Sequence, residues 1–445
     1  MSSSSEKWML RLHKAGLLRL ATFLSSKTRK IVLEGVHYNT DLITNRMARV
    51  DLLTDSLMHS PDSLKLPTTK SARESSFIAL QDSVKKCFGY DHILPVAQGR
   101  TAELILASTL AKPDKIIPNN LLFPTTRLNP EIAGSRPIAI PVKEAYNTES
   151  DYPFKGNLDI DALQELIHTH GADNIAYIMV EVSVNASGGH PVSMSNIKAV
   201  YRIARTAGVP LFIDGCRILE NACLIREREQ GYENYPIADI VRDFFSHSDG
   251  CTMSATKDFP VDMGGFIATR REDLYYRFLD FTMLAGEGLS VDAKARLYKA
   301  VRKSFCHERM TRRRVHLTKR FWQRLAAENL PVVYPASGYA VFINSRELLE
   351  VLSEEQFPER AFLARLYAES GILGGENMLT PEQKKHSMRM LRFIIPPGRY
   401  SNRIIDYTAK HISSLWHRRR EIRGLKQTYV PPCQSGDFMA HYEPD

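Results

Sequence analysis

Tryptophan and cysteine are scarce in this 445-residue chain, at 3 and 6 residues. The cysteines (Cys87, Cys216, Cys223, Cys251, Cys306 and Cys433) form no CxxC pair and no framework spacing. That excludes a small disulfide scaffold, offers no structural zinc site, and predicts reduced thiols in a cytoplasmic compartment. Long hydrophobic runs are lacking as well. Ile178 to Val184 is only strand length and is broken by Glu181, well short of the roughly 18 apolar residues a membrane-spanning helix needs. No membrane association is expected. Internal repeats and low-complexity linkers are also missing. What is present, 43% hydrophobic and 24% charged residues, is the composition of a globular chain able to bury a large core. The length exceeds what one hydrophobic core usually supports.

The charge balance, 59 basic against 50 acidic residues and a formal +9, is concentrated in two runs. These are Arg312-Arg313-Arg314 with Lys319 and Arg320, and Arg418-Arg419-Arg420 with Arg423. Such runs read as solvated helix faces, with an acidic partner as the alternative, and no second feature points to nucleic acid. The start of the chain, from Ser2 to Lys30, is serine-rich and basic, with Leu10, Leu12, Leu17, Leu18 and Leu20 at partly helical spacing. A surface helix or oligomerisation arm fits that pattern better than a transit peptide.

From about Leu80 to Arg270 short apolar runs alternate with helical patterns, the sign of a mostly parallel sheet covered by helices. The expected strands are Asn174–Asn185, Pro210–Asp214, Gly250–Ser254 and Gly265–Thr269; helices are expected over Ser193–Ala207 and Ala238–Phe245. After about Ser304 a long basic helix through Asn329 leads into a strand-rich pattern at Pro331–Val333, Gly338–Ile343 and Met390–Ile395. The predicted organisation is an arm over residues 1–50, a large domain over 51–303 and a small α+β domain over 304–445.

Ligands of open α/β sheets bind beyond the carboxyl ends of the strands. Asp214 and Arg217, Asn185, and Ser254 to Lys257 all follow such ends. A lysine and an aspartate so placed are what a pyridoxal phosphate site requires: the amine forms the Schiff base, and the carboxylate keeps the pyridine nitrogen protonated. Taken alone, the pair is weak, because lysines and aspartates at strand ends are common.

The wider text is more specific. It carries YNT at Tyr38–Thr40, DLLTDS at Asp51–Ser56, FGY at Phe88–Tyr90, and QGR at Gln98–Arg100 followed by Glu103. FKGN at Phe154–Asn157, NASGGHPVSM at Asn185–Met194, IDGCRILENA at Ile213–Ala222 and MSATKD at Met253–Asp258 follow. Together these blocks resemble the β-eliminating lyase family, densely from about Tyr38 to Arg270 and thinly beyond. The resemblance implies an α/β enzyme of the pyridoxal-phosphate-dependent transferase fold type I, with a mostly parallel large domain and a smaller α+β domain. It implies that Lys257 is the Schiff-base lysine, Asp214 the partner of the pyridine nitrogen, and Arg217 and Asn185 neighbours of the phenolic oxygen. Phe123 would stack on the ring, and Gln98, Gly99, Arg100 and Ser254 would form the phosphate cup. A homodimer or homotetramer is implied; no metal-ligating residues are expected in this chain.

The pattern also breaks in places. Ser71 stands where the family's phenol-lyases and indole-lyases place a tyrosine acid, Thr256 where they place a second lysine, and Thr69 where they place a glutamate of a monovalent-cation site. Pro397 stands where an arginine grips the substrate α-carboxylate, and the family's loop after Glu287-Gly288 has no counterpart. Arg399 is the nearest replacement for that arginine. Ser56, Ser71, Arg399 and Phe438 are the candidate substrate contacts. His190 is a candidate acid-base group, with turn packing as the alternative. The expected activity is a lyase acting on an amino acid or amino-acid-derived amine through an α-carbanion, without being a true phenol-lyase or indole-lyase. The alternatives are an aldolase-like or transaminase-like enzyme on a carboxyl-masked substrate presented by an acidic carrier protein, and a catalytically degenerate family member.

Overall fold

The computed structural model describes residues 24–54, 76–286, 288–306, 308–377, 386, 388–433 and 436–445. Strands follow one another as β1 (Val50–Asp51), β2 (His92–Val96), β3 (Ile116–Asn119), β4 (Arg136–Ala139), β5 (Ile178–Glu181), β6 (Leu211–Asp214), β7 (Gly250–Ser254) and β8 (Gly265–Thr269). After a helical stretch come β9 (Ala340–Asn344), β10 (Ile372–Leu373), β11 (Gly375–Glu376) and β12 (Met390–Ile394).

The central strands are near-continuously apolar and fully buried, the pattern of a sheet covered on both faces. They assemble into a 7-stranded sheet in the order β2-β8-β7-β6-β5-β3-β4. β3 to β7 run parallel, and β8 lies antiparallel to both β2 and β7. The expected strand at Asn174–Asn185 contracts to β5, because Ala172–Asn174 and Asn185–Ser187 each close a 3₁₀ turn. The helix Met194–Ala207 starts where Ser193 Oγ accepts from the Asn196 amide, and it stops at Gly208, whose φ of 69° places it in the left-handed region.

A 3-stranded antiparallel sheet, β11-β12-β9, forms a second layer. Its register sets Arg392 opposite Phe342 on one side and Gly375 on the other. β1 pairs with β10 and not with the large sheet, and Val50 and Leu52 pack into a core with Leu391, Phe393 and Trp416. The expected strand at Pro331–Val333 supplies only an isolated bridge from Val332 to Ile343. The long basic helix expected from about Ser304 to Asn329 runs over Arg309–Ala327, preceded by a separate helix, Val291–Cys306.

The solvated-face reading of the first arginine run holds for Arg312 and Arg313 but not for Arg314. Thr311, Arg314, Val315, Thr318, Phe321 and Leu325 recur at helical spacing and form the buried face. Periodicity therefore carries Arg314 inward, where Nη1 pairs with Glu220 at 3.1 Å. Nε of the same side chain donates to Ile395 O, and Nη1 also donates to Lys257 O. One guanidinium thus ties the second layer to the ends of the large sheet. Among the described residues, no helix is long and apolar enough to cross a membrane.

Candidate active site

Beyond the carboxyl end of β7 lies a cavity of about 290 Å³ whose lining includes Gln98, Gly99, Arg100, Phe123, Ser254 and Lys257. Close backbone packing builds it. A Cβ placed on Gly99 would lie 2.5 Å from Ser254 Cβ, and one on Gly265 would lie 2.8 Å from Gly99 N. The glycines therefore press the start of the helix Gly99–Leu110 against β7 and β8. Gln98 makes no side-chain capping hydrogen bond there, so the helix start at the cavity carries no side-chain cap, and Arg100, Ser254 and Thr256 line the cavity beside it. Helix-start amides, a guanidinium and hydroxyls are a donor set suited to a phosphate. Lys257 Nζ lies 5.5 Å from the centre of the Phe123 ring, leaving an aromatic face beside a primary amine. These features fit pyridoxal phosphate.

Carboxyl groups gather at the adjoining strand ends. Asp214 closes β6 and stands in register with Glu181 at the end of β5, and both are buried. Asp214 Oδ1 accepts from the Cys216 amide at 3.1 Å. Glu181 accepts from the amides of Phe123 at 2.6 Å and Asn185 at 3.2 Å, fixing both segments from below. Burial, with the neighbouring Asp214 carboxylate, pushes Glu181 up to about 8. Glu103 lines the cavity and is pushed up to about 7 by burial and then by Asp214.

Arg217 takes φ 66°, an uncommon conformation for a side-chain-bearing residue. The turn is held by Asp258, whose Oδ2 accepts from the Arg217 amide at 2.6 Å. Asp258 directly follows Lys257, so the lysine segment and the arginine turn are locked together. The Arg217 guanidinium stacks 3.8 Å from the centre of the Tyr339 ring, and burial lowers its pKa to about 10. Tyr339 belongs to the second layer and joins the two halves: its hydroxyl donates to Asn185 Oδ1 at 3.0 Å. Asn185 Oδ1 also accepts from Arg392 Nη1 at 3.3 Å, and Asn185 Nδ2 donates to Asn377 Oδ1 at 2.6 Å.

The residues named from sequence divide into three groups. Gln98, Gly99, Arg100, Phe123, Ser254 and Lys257 share one cavity, and Asp214, Asn185 and Arg217 occupy the adjacent strand ends. Arg399 and Phe438 are not among the residues lining that cavity. Arg399 pairs with the buried Asp51 at 3.6 Å, and Phe438 is exposed, with its carbonyl accepting from Asn39 Nδ2 at 3.1 Å. Ser56 and Ser71, like Thr69, lie outside the described residues. His190 is buried, with its ring nitrogens 2.7 Å from Ser187 O and 2.8 Å from Pro335 O. Burial drives its pKa down to about 3, so it is a neutral packing residue. Sequence reasoning passed over Glu181, Tyr339, Asn377 and Arg392. A charge interrupting a buried strand was the available signal for Glu181; the other three gave no local signal.

The sequence profile of the beta-eliminating lyases matches residues 51–411. The tyrosine phenol-lyase of Symbiobacterium sp. is 33% identical over 439 residues, covering 94% of each chain. That of Nostoc punctiforme is 35% identical over 414 residues, covering 88% of each chain. Among solved structures, a Leishmania major threonine aldolase superposes with a TM-score of 0.59 at 9% identity, covering 82% of this chain and 99% of its own. That likeness carries the fold, pyridoxal-phosphate-dependent fold type I. A lysine-bearing, phosphate-suited cavity on this fold, matched along most of the chain by one profile, makes the protein a member of the β-eliminating lyase family, a pyridoxal-phosphate-dependent lyase.

Proposed function

We propose that this lyase acts on an amino acid or amino-acid-derived amine, breaking a bond at the β-carbon, and that it is neither a tyrosine phenol-lyase nor a tryptophan indole-lyase. The observation that carries the reading is the convergence of Lys257, Phe123 and the uncapped helix start on one cavity, with Asp214 at the adjacent strand end. Pyridoxal phosphate supplies an electron sink for the pair left on the substrate α-carbon when a proton departs. Lys257 holds the amine that takes that proton, and Asp214 holds the proton of the ring nitrogen. Phe123 covers the aromatic face, and Arg100, Ser254 and the amides at Gly99 and Arg100 bind the phosphate. What is lacking is the acid for an aromatic leaving group: serine stands at 71 and threonine at 256. A leaving group that departs without strong protonation suits such a site.

Pro397, together with the engagement of Arg399 by Asp51, favours a second reading, in which the substrate carboxyl is masked and the basic surface meets an acidic carrier. One set of measurements tests the first reading. The cofactor-loaded protein is expected to show a lysine-dependent absorption band that Lys257→Ala removes. It is also expected to release pyruvate and ammonia from a β-substituted L-alanine bearing a good leaving group, and no keto acid or phenol from L-tyrosine. Phenol release from L-tyrosine at a rate matching the other substrates would overturn it.

A further inference from the structure

We propose that Tyr339 is a positioning residue of the cofactor site: from the second layer it holds Asn185 and Arg217, which follow two different strands, against the phenolic oxygen of pyridoxal phosphate. This rests on the cofactor placement in the reading above and holds whichever amine the lyase takes.

Tyr339 directly precedes β9 and is fully buried. Its ring is boxed in. The Arg217 guanidinium lies 3.8 Å from the ring centre and that of Arg314 5.7 Å from it, while the Phe342 ring meets it edge-on at 6.2 Å. A Cβ on Gly189 would lie 3.0 Å from Tyr339 Cε1, so that glycine makes room for the ring edge. The Tyr339 carbonyl accepts from the Ile395 amide at 2.8 Å. Burial keeps the hydroxyl neutral with Glu181 acting in the same sense, against the opposite pull of Arg217, Arg392 and Lys257. A neutral phenol is a donor, and this one donates to Asn185 Oδ1 at 3.0 Å.

Each contact fixes one partner. Arg392 has only N–H groups to offer, so the Asn185 atom that meets both it and the Tyr339 hydroxyl is the amide oxygen. Two donors on that oxygen turn the nitrogen to the other side and strengthen what it donates. Among the described residues Asn185 Nδ2 makes one hydrogen bond, to Asn377 Oδ1 at 2.6 Å, and an amide nitrogen carries two hydrogens. For Arg217, stacking fixes the plane of the guanidinium and consumes none of its N–H donors, as a carboxylate partner would. Asp258 already holds its backbone amide. Tyr339 therefore sets the far end of the side chain.

Strand order says what these two donors face. The phosphate cradle lies at the ends of β7 and β8, Asp214 ends β6 with Arg217 just beyond it, and Asn185 follows β5. A pyridine ring with its phosphate in the cradle, its nitrogen at Asp214 and its carbonyl carbon at Lys257 turns its phenolic oxygen away from the cradle, toward Asn185 and Arg217. A donor and a cation there draw charge off that oxygen, and the cation repels the proton of the adjacent Schiff-base nitrogen. Both effects lower the proton affinity of that nitrogen.

The test is the pH midpoint of the cofactor's absorption change in the loaded protein. Tyr339→Phe keeps the stack and loses the hydrogen bond to Asn185, so the midpoint should rise by about 0.5–1 pH unit, an increase of about 3- to 10-fold in proton affinity. Tyr339→Leu loses the stack as well and should raise the midpoint by about 1–2 units. Tyr90→Phe is the control. Tyr90 is as deeply buried, shares a 2.6 Å hydrogen bond with Ser248 Oγ, has the Arg270 guanidinium 4.4 Å from its ring centre, and is not among the residues lining the cavity. Its variant should keep the wild-type midpoint. Thermal unfolding reads stability separately, and if Tyr339→Leu does not fold, Tyr339→Phe decides alone. An unmoved or lowered midpoint in Tyr339→Phe, or an equal rise in Tyr90→Phe, would overturn the assignment. A Lys257→Ala protein with an unaltered cofactor spectrum would bring down the cofactor placement itself; a lysine-dependent band whose midpoint ignores Tyr339 would bring down this inference alone.

Discussion

Replacing Gly99 by alanine tests the phosphate cradle at its tightest point. The added methyl would lie 2.5 Å from Ser254 Cβ and 2.8 Å from Ser254 Cα, against the 3.4–4 Å of ordinary contact. Something must therefore move by roughly 1 Å, which a close-packed interior resists. Ser254 is poorly placed to yield, because it ends β7, pairs with Gly265 and donates its amide to Cys216 Sγ at 3.3 Å. The start of the helix Gly99–Leu110 is the element that shifts. Overpacking of this kind costs about 1–3 kcal/mol of stability, which a domain stable by about 5–15 kcal/mol survives. The cofactor should suffer more. Losing the alignment of one or two charge-assisted amide contacts, about 1.5–3 kcal/mol, weakens phosphate binding by about 10- to 150-fold. The assay is equilibrium titration of the apoprotein with pyridoxal phosphate by absorption, with far-ultraviolet circular dichroism to verify the fold. Gly288→Ala is the control, since a Cβ there meets nothing within 4 Å. A Gly99→Ala protein that binds pyridoxal phosphate as tightly as wild type would refute the assignment of this helix start as the phosphate site.

Two further outcomes follow from buried charge. Arg314→Met leaves Glu220 and Asp258 without their cation and should cost about 3–5 kcal/mol; adding Glu220→Gln should recover part of it, and a loss below about 1 kcal/mol in urea denaturation would contradict the stitching role of Arg314. Glu181 has a folded pKa near 8 against its ordinary 4.5, so between those values the native protein binds more protons than the unfolded chain. Apoprotein stability should therefore fall as pH rises from about 4.5 to about 8, and Glu181→Gln should flatten that slope; an unchanged slope in the variant, read by thermal unfolding, would show that Glu181 is ionised throughout.

The large sheet could be read from sequence because the information is local, whereas the cavity roles of Gln98, Gly99, Arg100, Phe123 and Ser254 were legible only through the family resemblance. Buried parallel strands are continuous apolar runs, and the groups that act follow their ends, so Asn185, Asp214 and Lys257 declared themselves by position. The boundaries were less clear: nothing in NIAYIMVEVSVN says that the 3₁₀ turn at Asn185 ends the ladder at Glu181. Arg314 looked like part of a solvated run because charge was read without phase. Its spacing from Val315, Thr318 and Phe321 turns it inward. Tyr339, Asn377 and Arg392 were illegible for a different reason. They stand far along the chain and reach the site only because β9, β11 and β12 fold back against the strand ends, a long-range consequence of register.

The departures from the family pattern also sort by place. Lys257, Asp214, Phe123 and the proposed phosphate cradle gather at the strand ends of the large sheet, where a change would be expected to cost the cofactor. Of the substituted positions within the described residues, Thr256 lines the cavity and Pro397 follows β12. A charge lost at 397 need not mean that the carboxylate has gone from the substrate. With serine at 71 and threonine at 256, where the family's phenol-lyases and indole-lyases carry a tyrosine acid and a second lysine, selectivity should favour leaving groups stable as anions.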